Sequence, residues 1–191
     1  MTLLSGYESC GTSGTASGAM ALIYLDACAL ITAREKVTPE SQALVNLIAE
    51  GAGAETPFIT SDLALVEVLT KPIQGLIDRT PDREDVTKRA DHDWYLGNLV
   101  SDGLLLRTKP LQRDILLQAA LMRARTLGLK TPDAIHAATA YHFGCTHFVT
   151  GDTKLVKSIE RDEAWLNSGR RFNFVGLTVA ALDALRAELI S

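Results

Sequence analysis

Five short apolar runs alternate with longer segments of helical periodicity along this chain, and this alternation constrains the fold more than any other feature. The apolar runs span residues 21–25, 57–60, 104–107, 146–150 and 174–177, and the helical patterns span residues 39–50, 61–70, 110–127 and 131–143. Strand-length runs that alternate with helices are typical of a parallel sheet covered by helices on both faces. We therefore predict a three-layer α/β/α sandwich with a mainly parallel sheet of about five strands.

Two segments fall outside this alternation. In residues 1–19, ten of the fourteen positions from 5 to 18 are Ser, Gly or Thr, which leaves too few apolar side chains to pack. We expect a flexible lead there, a single domain over residues 20–191, and Met20 as a candidate biological start. The more polar residues 72–101 are predicted to form a helical insertion with a turn near residues 80–82.

Composition narrows the class of protein. The three cysteines are scattered and form no CxxC pair, so neither a disulfide framework nor a thiolate zinc site is expected. No Lys or Arg precedes Arg34, and the apolar run from residue 19 stops at Asp26, which argues against a signal peptide or a membrane span. We expect a cytoplasmic protein. Its net charge of −4 neither supports nor excludes a nucleic-acid partner.

Two acidic residues follow predicted strands. Asp26 comes directly after the run at residues 21–25, and Asp152 comes directly after the sequence HFVTG at residues 147–151. Parallel strands end at the same edge of their sheet, where such folds place their ligand crevices. We therefore expect both carboxylates at one edge.

Two further acids belong to predicted helices. Glu67 lies in the helical pattern of residues 61–70, with Ser61 as its N-cap and apolar residues on nearly every side. An ionised carboxylate buried there costs several kcal/mol (order of magnitude) unless a cation or a donor meets it. Asp133 begins another helix, with Thr131 as the predicted N-cap and Pro132 as the first helical residue.

Together the four acids predict an oxygen-rich pocket for Mg²⁺ or Mn²⁺, because hard cations prefer oxygen ligands. Bound divalent ions can activate water for phosphodiester hydrolysis. Each acid alone could also serve a structural purpose. Asp133 favours the helix dipole by ~0.3–1 kcal/mol, Asp152 can cap a helix over residues 153–160, Asp26 can sit in a turn, and Glu67 can lie on a helix surface.

Two histidines and one cysteine near the acids are not predicted to be ligands or nucleophiles. His136 and His142 have no i, i+4 histidine pair, and we expect them to be packed or surface residues rather than ligands. Cys28 is expected to be a small buried residue rather than a nucleophile. The predicted chemistry therefore rests on the carboxylates.

Four segments resemble the successive acidic motifs of the PIN-domain family. They are YLDACAL (residues 24–30), LVEVL (residues 65–69), LKTPDAIHAATA (residues 129–140) and FVTGDTKL (residues 148–155). The resemblance runs in order from about residue 21 to residue 177, and it is closest to the VapC-type toxins of bacterial toxin–antitoxin pairs. The third and fourth segments are its most specific parts.

This resemblance implies a three-layer fold, magnesium- or manganese-dependent endoribonuclease activity, frequent homodimerisation, and inhibition by a small antitoxin whose tail enters the groove. It gives the metal-ligand roles to four residues, Asp26, Glu67, Asp133 and Asp152. Thr150 resembles a polar position of the family that orients an acid or a water. Cys28 stands where family members often carry Asn or Ser, which puts one hydrogen bond near the site in doubt.

Two other functions compete with an RNA-cleaving toxin. One is a catalytically idle PIN-like module that binds RNA or a protein, which is weakened because all four acid positions are filled. The other is a phosphatase of the haloacid-dehalogenase type, whose chemistry needs a second Asp two residues after the first. Position 28 is Cys, so this alternative is disfavoured.

Overall fold

The computed structural model describes residues 21–51, 58–77, 84–100, 106–169 and 171–190. The predicted lead over residues 1–19 and the predicted turn near residues 80–82 lie outside these residues. The division of the chain into a lead and a domain therefore stays a prediction. No helix in the described ranges is long and apolar enough to cross a bilayer.

The described residues form a five-stranded sheet. Its strands are β1 (Ile23–Leu25), β2 (Phe58–Ser61), β3 (Arg107–Lys109), β4 (His147–Thr150) and β5 (Asn173–Gly176). The strand order is β3-β2-β1-β4-β5, and every neighbouring pair is parallel. The predicted parallel sheet is confirmed.

Helices connect the strands in the described part of the chain. They are α1 (Ala27–Glu35), α2 (Pro39–Gly51), α3 (Asp62–Ile77), α4 (Glu84–Tyr95), α5 (Arg113–Arg125), α6 (Thr131–His142), α7 (Thr153–Ile159), α8 (Glu163–Leu166) and α9 (Val179–Ile190). A π-helical turn, Leu96–Val100, follows α4 directly.

Alternating side chains of the strands enter two separate cores. In β1, Ile23 and Leu25 pack into a core with residues of α1, α2, α3 and α9, whereas Tyr24 packs into a second core with residues of α5, α6, α7 and α8. Likewise Val149 of β4 enters the first core and Phe148 enters the second. A strand that is buried on both faces needs helices on both sides, so the three-layer prediction is confirmed.

Some element boundaries differ from the sequence-based expectation. Helices α1, α8 and α9 were not predicted, and β3 begins at Arg107 although the apolar run ended there. Ser61 is the last residue of β2 and directly precedes α3, and α3 continues through Pro72 to Ile77. Proline removes one helical hydrogen bond, but Pro72 is buried and α3 packs along α4, which offsets that loss.

The strand order reverses beside β1. The chain adds β2 and β3 on one side of β1, then returns to add β4 and β5 on the other side. In open α/β sheets, ligands bind beyond the carboxyl ends of the strands at such a reversal point. Asp26 and Asp152 follow the two strands that meet there, β1 and β4.

Candidate active site

Asp26 links the end of β1 to the start of α1. It is the N-cap of α1, and its Oδ1 accepts a hydrogen bond from the backbone N–H of Ala29 at 2.7 Å. Only 5% of the residue is exposed. The alternative interpretation of Asp26 as a simple turn residue therefore missed its role as the cap of a helix, because the sequence pattern did not predict α1.

Thr150 connects the acids at the ends of β1 and β4. Its Oγ1 donates a hydrogen bond to Oδ2 of Asp26 at 2.5 Å and accepts one from the backbone N–H of Asp152 at 2.9 Å. Thr150 is the last residue of β4 and is buried. It therefore orients the Asp26 carboxylate, one of the two tasks suggested for this position.

Asp152 is half-buried and forms the N-cap of α7. Its Oδ1 accepts hydrogen bonds from the backbone N–H groups of Lys154 at 2.8 Å and Leu155 at 3.1 Å. The predicted capping role of this residue is thus correct. It does not exclude a functional role, because a carboxylate has more lone pairs than these two bonds use.

Asp133 lies in the first turn of α6, whose N-cap is Lys130 rather than the predicted Thr131. The carboxylate of the half-buried Asp133 accepts no hydrogen bond from another described residue. Burial raises the pKa of this carboxyl, and the charges of Asp152 and Glu67 raise it further. Asp133 therefore lies close enough to Asp152 and Glu67 for their charges to affect its ionisation.

Glu67 extends from α3, and 32% of its side chain is exposed. Its Oε2 accepts a hydrogen bond from Nε2 of His136 at 2.7 Å. Its charge also raises the pKa of Asp26. Charge interactions thus link the four predicted acids at the carboxyl edge of the sheet: Glu67 acts on Asp26 and Asp133, and Asp152 acts on Asp133.

The pKa of Asp26 is raised from the ordinary 3.8 to about 6, and burial is the main cause. The hydrogen bonds from Thr150 and Ala29 and the nearby His136 lower this pKa, and Glu67 raises it. Desolvation outweighs the hydrogen bonds because a charge is poorly accommodated away from water. A cation that replaces the lost water would relieve this penalty.

The raised pKa of Asp26 predicts a pH-dependent stability of the metal-free protein. A carboxyl group whose pKa rises on folding stabilises the fold fully below its unfolded pKa, and this contribution is lost as the pH rises through about 6. A rise of about two units corresponds to about 3 kcal/mol. Urea unfolding in EDTA from about pH 4 to about pH 8 should show this loss in the wild type and not in Asp26→Asn.

The exposed acid Asp114 of α5 provides the control for this measurement. Asp114→Asn should keep the pH profile of the wild type, because a solvated carboxylate is not desolvated on folding. Parallel profiles for the wild type and Asp26→Asn would contradict the assigned burial effect.

The chemistry of the acids fits a hard divalent cation, since the candidate ligands are carboxylate oxygens. Asp133 has no competing hydrogen bond within the described chain, and Asp26 carries a desolvation penalty that a cation would offset. However, no three His, Cys, Asp or Glu side chains of the described residues already stand in a metal-binding cluster. The residues thus fit a metal by chemistry, and the assignment of individual ligands stays a prediction.

His136 contributes to the site although its sequence context gave no reason to include it. The imidazole is buried, as expected for a packed histidine, but its Nε2 bonds Glu67 and its Nδ1 lies 2.7 Å from the hydroxyl of Tyr24. The available signal was its position one turn after Asp133 on the same helix, since residues i and i+3 share a face. His142, by contrast, is exposed.

Cys28 is half-buried in the first turn of α1 rather than fully buried. Burial raises the pKa of its thiol, and Asp26 raises it further, so the thiolate is disfavoured. A Cβ at Gly151 would come within 3.0 Å of its Sγ. Cys28 therefore fills the space next to the loop that carries Asp152, and its raised pKa does not support a nucleophilic role.

Both the fold and the site define an α/β protein with acids gathered at the reversal point of a parallel sheet. The sequence profile of the PIN domain family matches residues 23–162. The chain belongs to the PIN domain family. Comparison with curated proteins gives no match.

Solved structures show the same fold at low sequence identity. FitAcB from Neisseria gonorrhoeae matches with a TM-score of 0.52 and 16% identity, over 72% of this chain and 92% of the other. DNA-bound VapBC from Salmonella typhimurium matches with a TM-score of 0.51 and 13% identity, over 81% of this chain and 98% of the other. At these identities the likeness concerns the fold alone.

Proposed function

We propose that this protein is a magnesium- or manganese-dependent endoribonuclease and the toxin of a toxin–antitoxin pair. The observation that carries the proposal is the linkage of the acids that follow β1 and β4 through Thr150, at the reversal point of a PIN-domain sheet. A purely structural strand end does not require a desolvated acid there. Membership of the PIN domain family favours nuclease chemistry over the phosphatase alternative.

In this proposal Asp26, Glu67, Asp133 and Asp152 hold the divalent cation. A bound cation would lower the pKa of a coordinated water and orient the attacked phosphate. The chain itself fixes the ligands in advance, since Asp26 is held by Ala29 and Thr150, and Asp152 is held by the N-terminus of α7.

Local cations support a phosphate-bearing substrate despite the net charge of −4. Lys130 lowers the pKa of Asp133, and Lys36 lowers that of Cys28, so both ammonium groups lie near the site. Lys36, Lys130 and Lys154 are all exposed. Exposed lysines around buried acids can attract a phosphate backbone, and RNA is proposed because of the resemblance to VapC-type toxins.

The same resemblance supports an antitoxin partner, as does the fold likeness to VapBC and FitAcB. We also propose homodimerisation, for which α5 offers the exposed apolar residues Leu116, Leu117 and Leu121; sedimentation velocity would measure it. A cytoplasmic location is proposed because Cys28 and Cys145 are free thiols, as in reducing compartments.

Cleavage of a panel of structured RNAs tests the proposed activity. The full chain should cut internal phosphodiester bonds with Mn²⁺ or Mg²⁺ and lose this activity in excess EDTA, because without a cation the acids repel each other and activate no water. Asp26→Asn, purified in parallel, controls for contaminating nucleases. Robust cleavage in EDTA would contradict metal dependence, whereas RNA binding without cleavage would favour the idle binding module.

A further inference from the structure

A chain of buried hydrogen bonds leads from the centre of the sheet to Glu67. The hydroxyl of Tyr24 lies within hydrogen-bond distance of two groups, Oγ of Ser61 at 2.9 Å and Nδ1 of His136 at 2.7 Å. Nε2 of His136 lies 2.7 Å from Oε2 of Glu67. A carboxylate only accepts hydrogen bonds, so Nε2 is the donor of this bond.

Four elements contribute to this hydrogen-bond chain: β1, β2, α6 and α3. Tyr24 and Ser61 are fully buried and His136 is 5% exposed, whereas Glu67 reaches the solvent-accessible edge. The Tyr24 ring stacks on Phe148 at 5.0 Å and meets the imidazole edge-on at 5.8 Å. The imidazole is therefore fixed by packing on one side and by hydrogen bonds at both nitrogens.

Satisfying the buried polar groups does not require this arrangement. Tyr24 already has Ser61 as a partner, and an apolar residue at position 136 would leave no imidazole to satisfy. What His136 adds is a rigid hydrogen-bond donor to Glu67. Glu67 is a long side chain that loses rotamer freedom when it is held in one position, and the bond to His136 holds it there before a cation binds. Partners that hydrogen-bond a metal-ligating side chain typically change metal affinity or activity 10–100-fold when they are lost.

We propose that His136 is a positioning residue that holds the Glu67 carboxylate in the site, with Tyr24 and Ser61 fixing the imidazole. This inference rests on the proposed function in one respect, namely that Glu67 binds a cation. It deepens that function because it adds three residues that touch neither the metal nor the RNA.

Two substitutions of His136 separate positioning from packing. The amide nitrogen of Gln can take the place of Nε2, whereas that of Asn takes the place of Nδ1 and cannot reach Glu67. Calorimetric titration of the metal-free full chain with Mn²⁺ should show affinity weakened about 10–100-fold in His136→Asn. His136→Gln should recover most of this loss, and RNA cleavage should follow the same order.

A second pair of variants keeps the test decisive if the His136 variants do not fold. Tyr24→Phe removes only the hydroxyl next to His136 and should weaken Mn²⁺ binding several-fold. Tyr95→Phe is the matched control, since it removes a similar bond from a buried tyrosine to Glu35, of 2.8 Å, away from Glu67. It should leave Mn²⁺ affinity unchanged.

The outcomes distinguish this inference from the proposed function. Wild-type Mn²⁺ affinity in His136→Asn, or equal losses in the Asn and Gln variants, would overturn the positioning role while the proposed nuclease stands. Equal affinities of Tyr24→Phe and Tyr95→Phe would do the same where the His136 variants are unfolded. A wild-type chain that neither binds Mn²⁺ nor cleaves RNA would overturn the proposed function and the positioning role together.

Discussion

Replacement of Asp133 with Asn is expected to lower kcat/KM for RNA cleavage by about 100-fold or more while leaving the metal-free fold about as stable as the wild type. Loss of a residue that merely supports a metal ligand costs about 10–100-fold, so loss of a ligand should reach or exceed the upper end. The carboxylate of Asp133 has no hydrogen bond to other described residues, and burial and Asp152 disfavour its charge more than Lys130 and His136 favour it. Replacement of this carboxylate with an amide therefore breaks no side-chain hydrogen bond within the described residues.

A matched control separates catalysis from helix stability. Asp114 lies in the first turn of α5, as Asp133 does in α6, and it is exposed. Asn at either position gives up the same favourable interaction with the helix dipole, ~0.3–1 kcal/mol, but only Asp133→Asn should lose cleavage. Activity of Asp133→Asn within a few-fold of the wild type would remove Asp133 from the catalytic site.

The fold class could be predicted from the sequence because three strands, β1, β2 and β4, are buried on both faces. Continuous apolar runs such as those of β1 and β4 indicate strands covered on both sides when helices alternate with them along the chain. The same logic located Asp26 and Asp152, because the end of a parallel strand fixes where the next side chain emerges. These predictions depend only on local pattern and sheet geometry.

Other features depend on contacts between distant residues, which a single sequence does not contain. Proline usually ends a helix, and only the packing of α3 along α4 accounts for the continuation of α3 through Pro72. Helix α1 was missed because its N-cap, Asp26, was interpreted as a turn residue or a ligand. His136 was set aside because it has no i, i+4 histidine pair, and its partners Glu67 and Tyr24 lie 69 and 112 positions away along the chain.

A helix cap and a site residue are not mutually exclusive roles for these acids. Asp26 caps α1 and Asp152 caps α7, and both stand at the edge where the acids gather. A cap uses one carboxylate oxygen and fixes the orientation of the other, which is what a ligand requires. In the proposed function, helix capping and cation binding therefore depend on the same side chains, and only a measurement in the presence of metal separates the two contributions.

Asp152→Asn is such a measurement, because Asn caps a helix about as well as Asp. In EDTA the variant should be as stable as the wild type or slightly more stable, since it keeps the acceptor for Lys154 and Leu155 and removes a charge that raises the pKa of Asp133. With Mn²⁺ at about a hundred times its Kd, the wild type should gain ~2.7 kcal/mol, which is about 5–10 °C in Tm for a chain of this size. The variant should lose much of that gain.

The control for this last prediction is Asp162→Asn, which changes another N-cap of the same type. Asp162 caps α8, where its Oδ1 accepts a hydrogen bond from the backbone N–H of Ala164 at 3.0 Å, and its other oxygen lies 3.4 Å from Nε of Arg125. This variant should lose some stability in EDTA, because the Arg125 contact is weakened, but it should keep the full gain from Mn²⁺. Equal manganese-induced gains in Asp152→Asn and the wild type would show that Asp152 caps α7 and does not bind the cation.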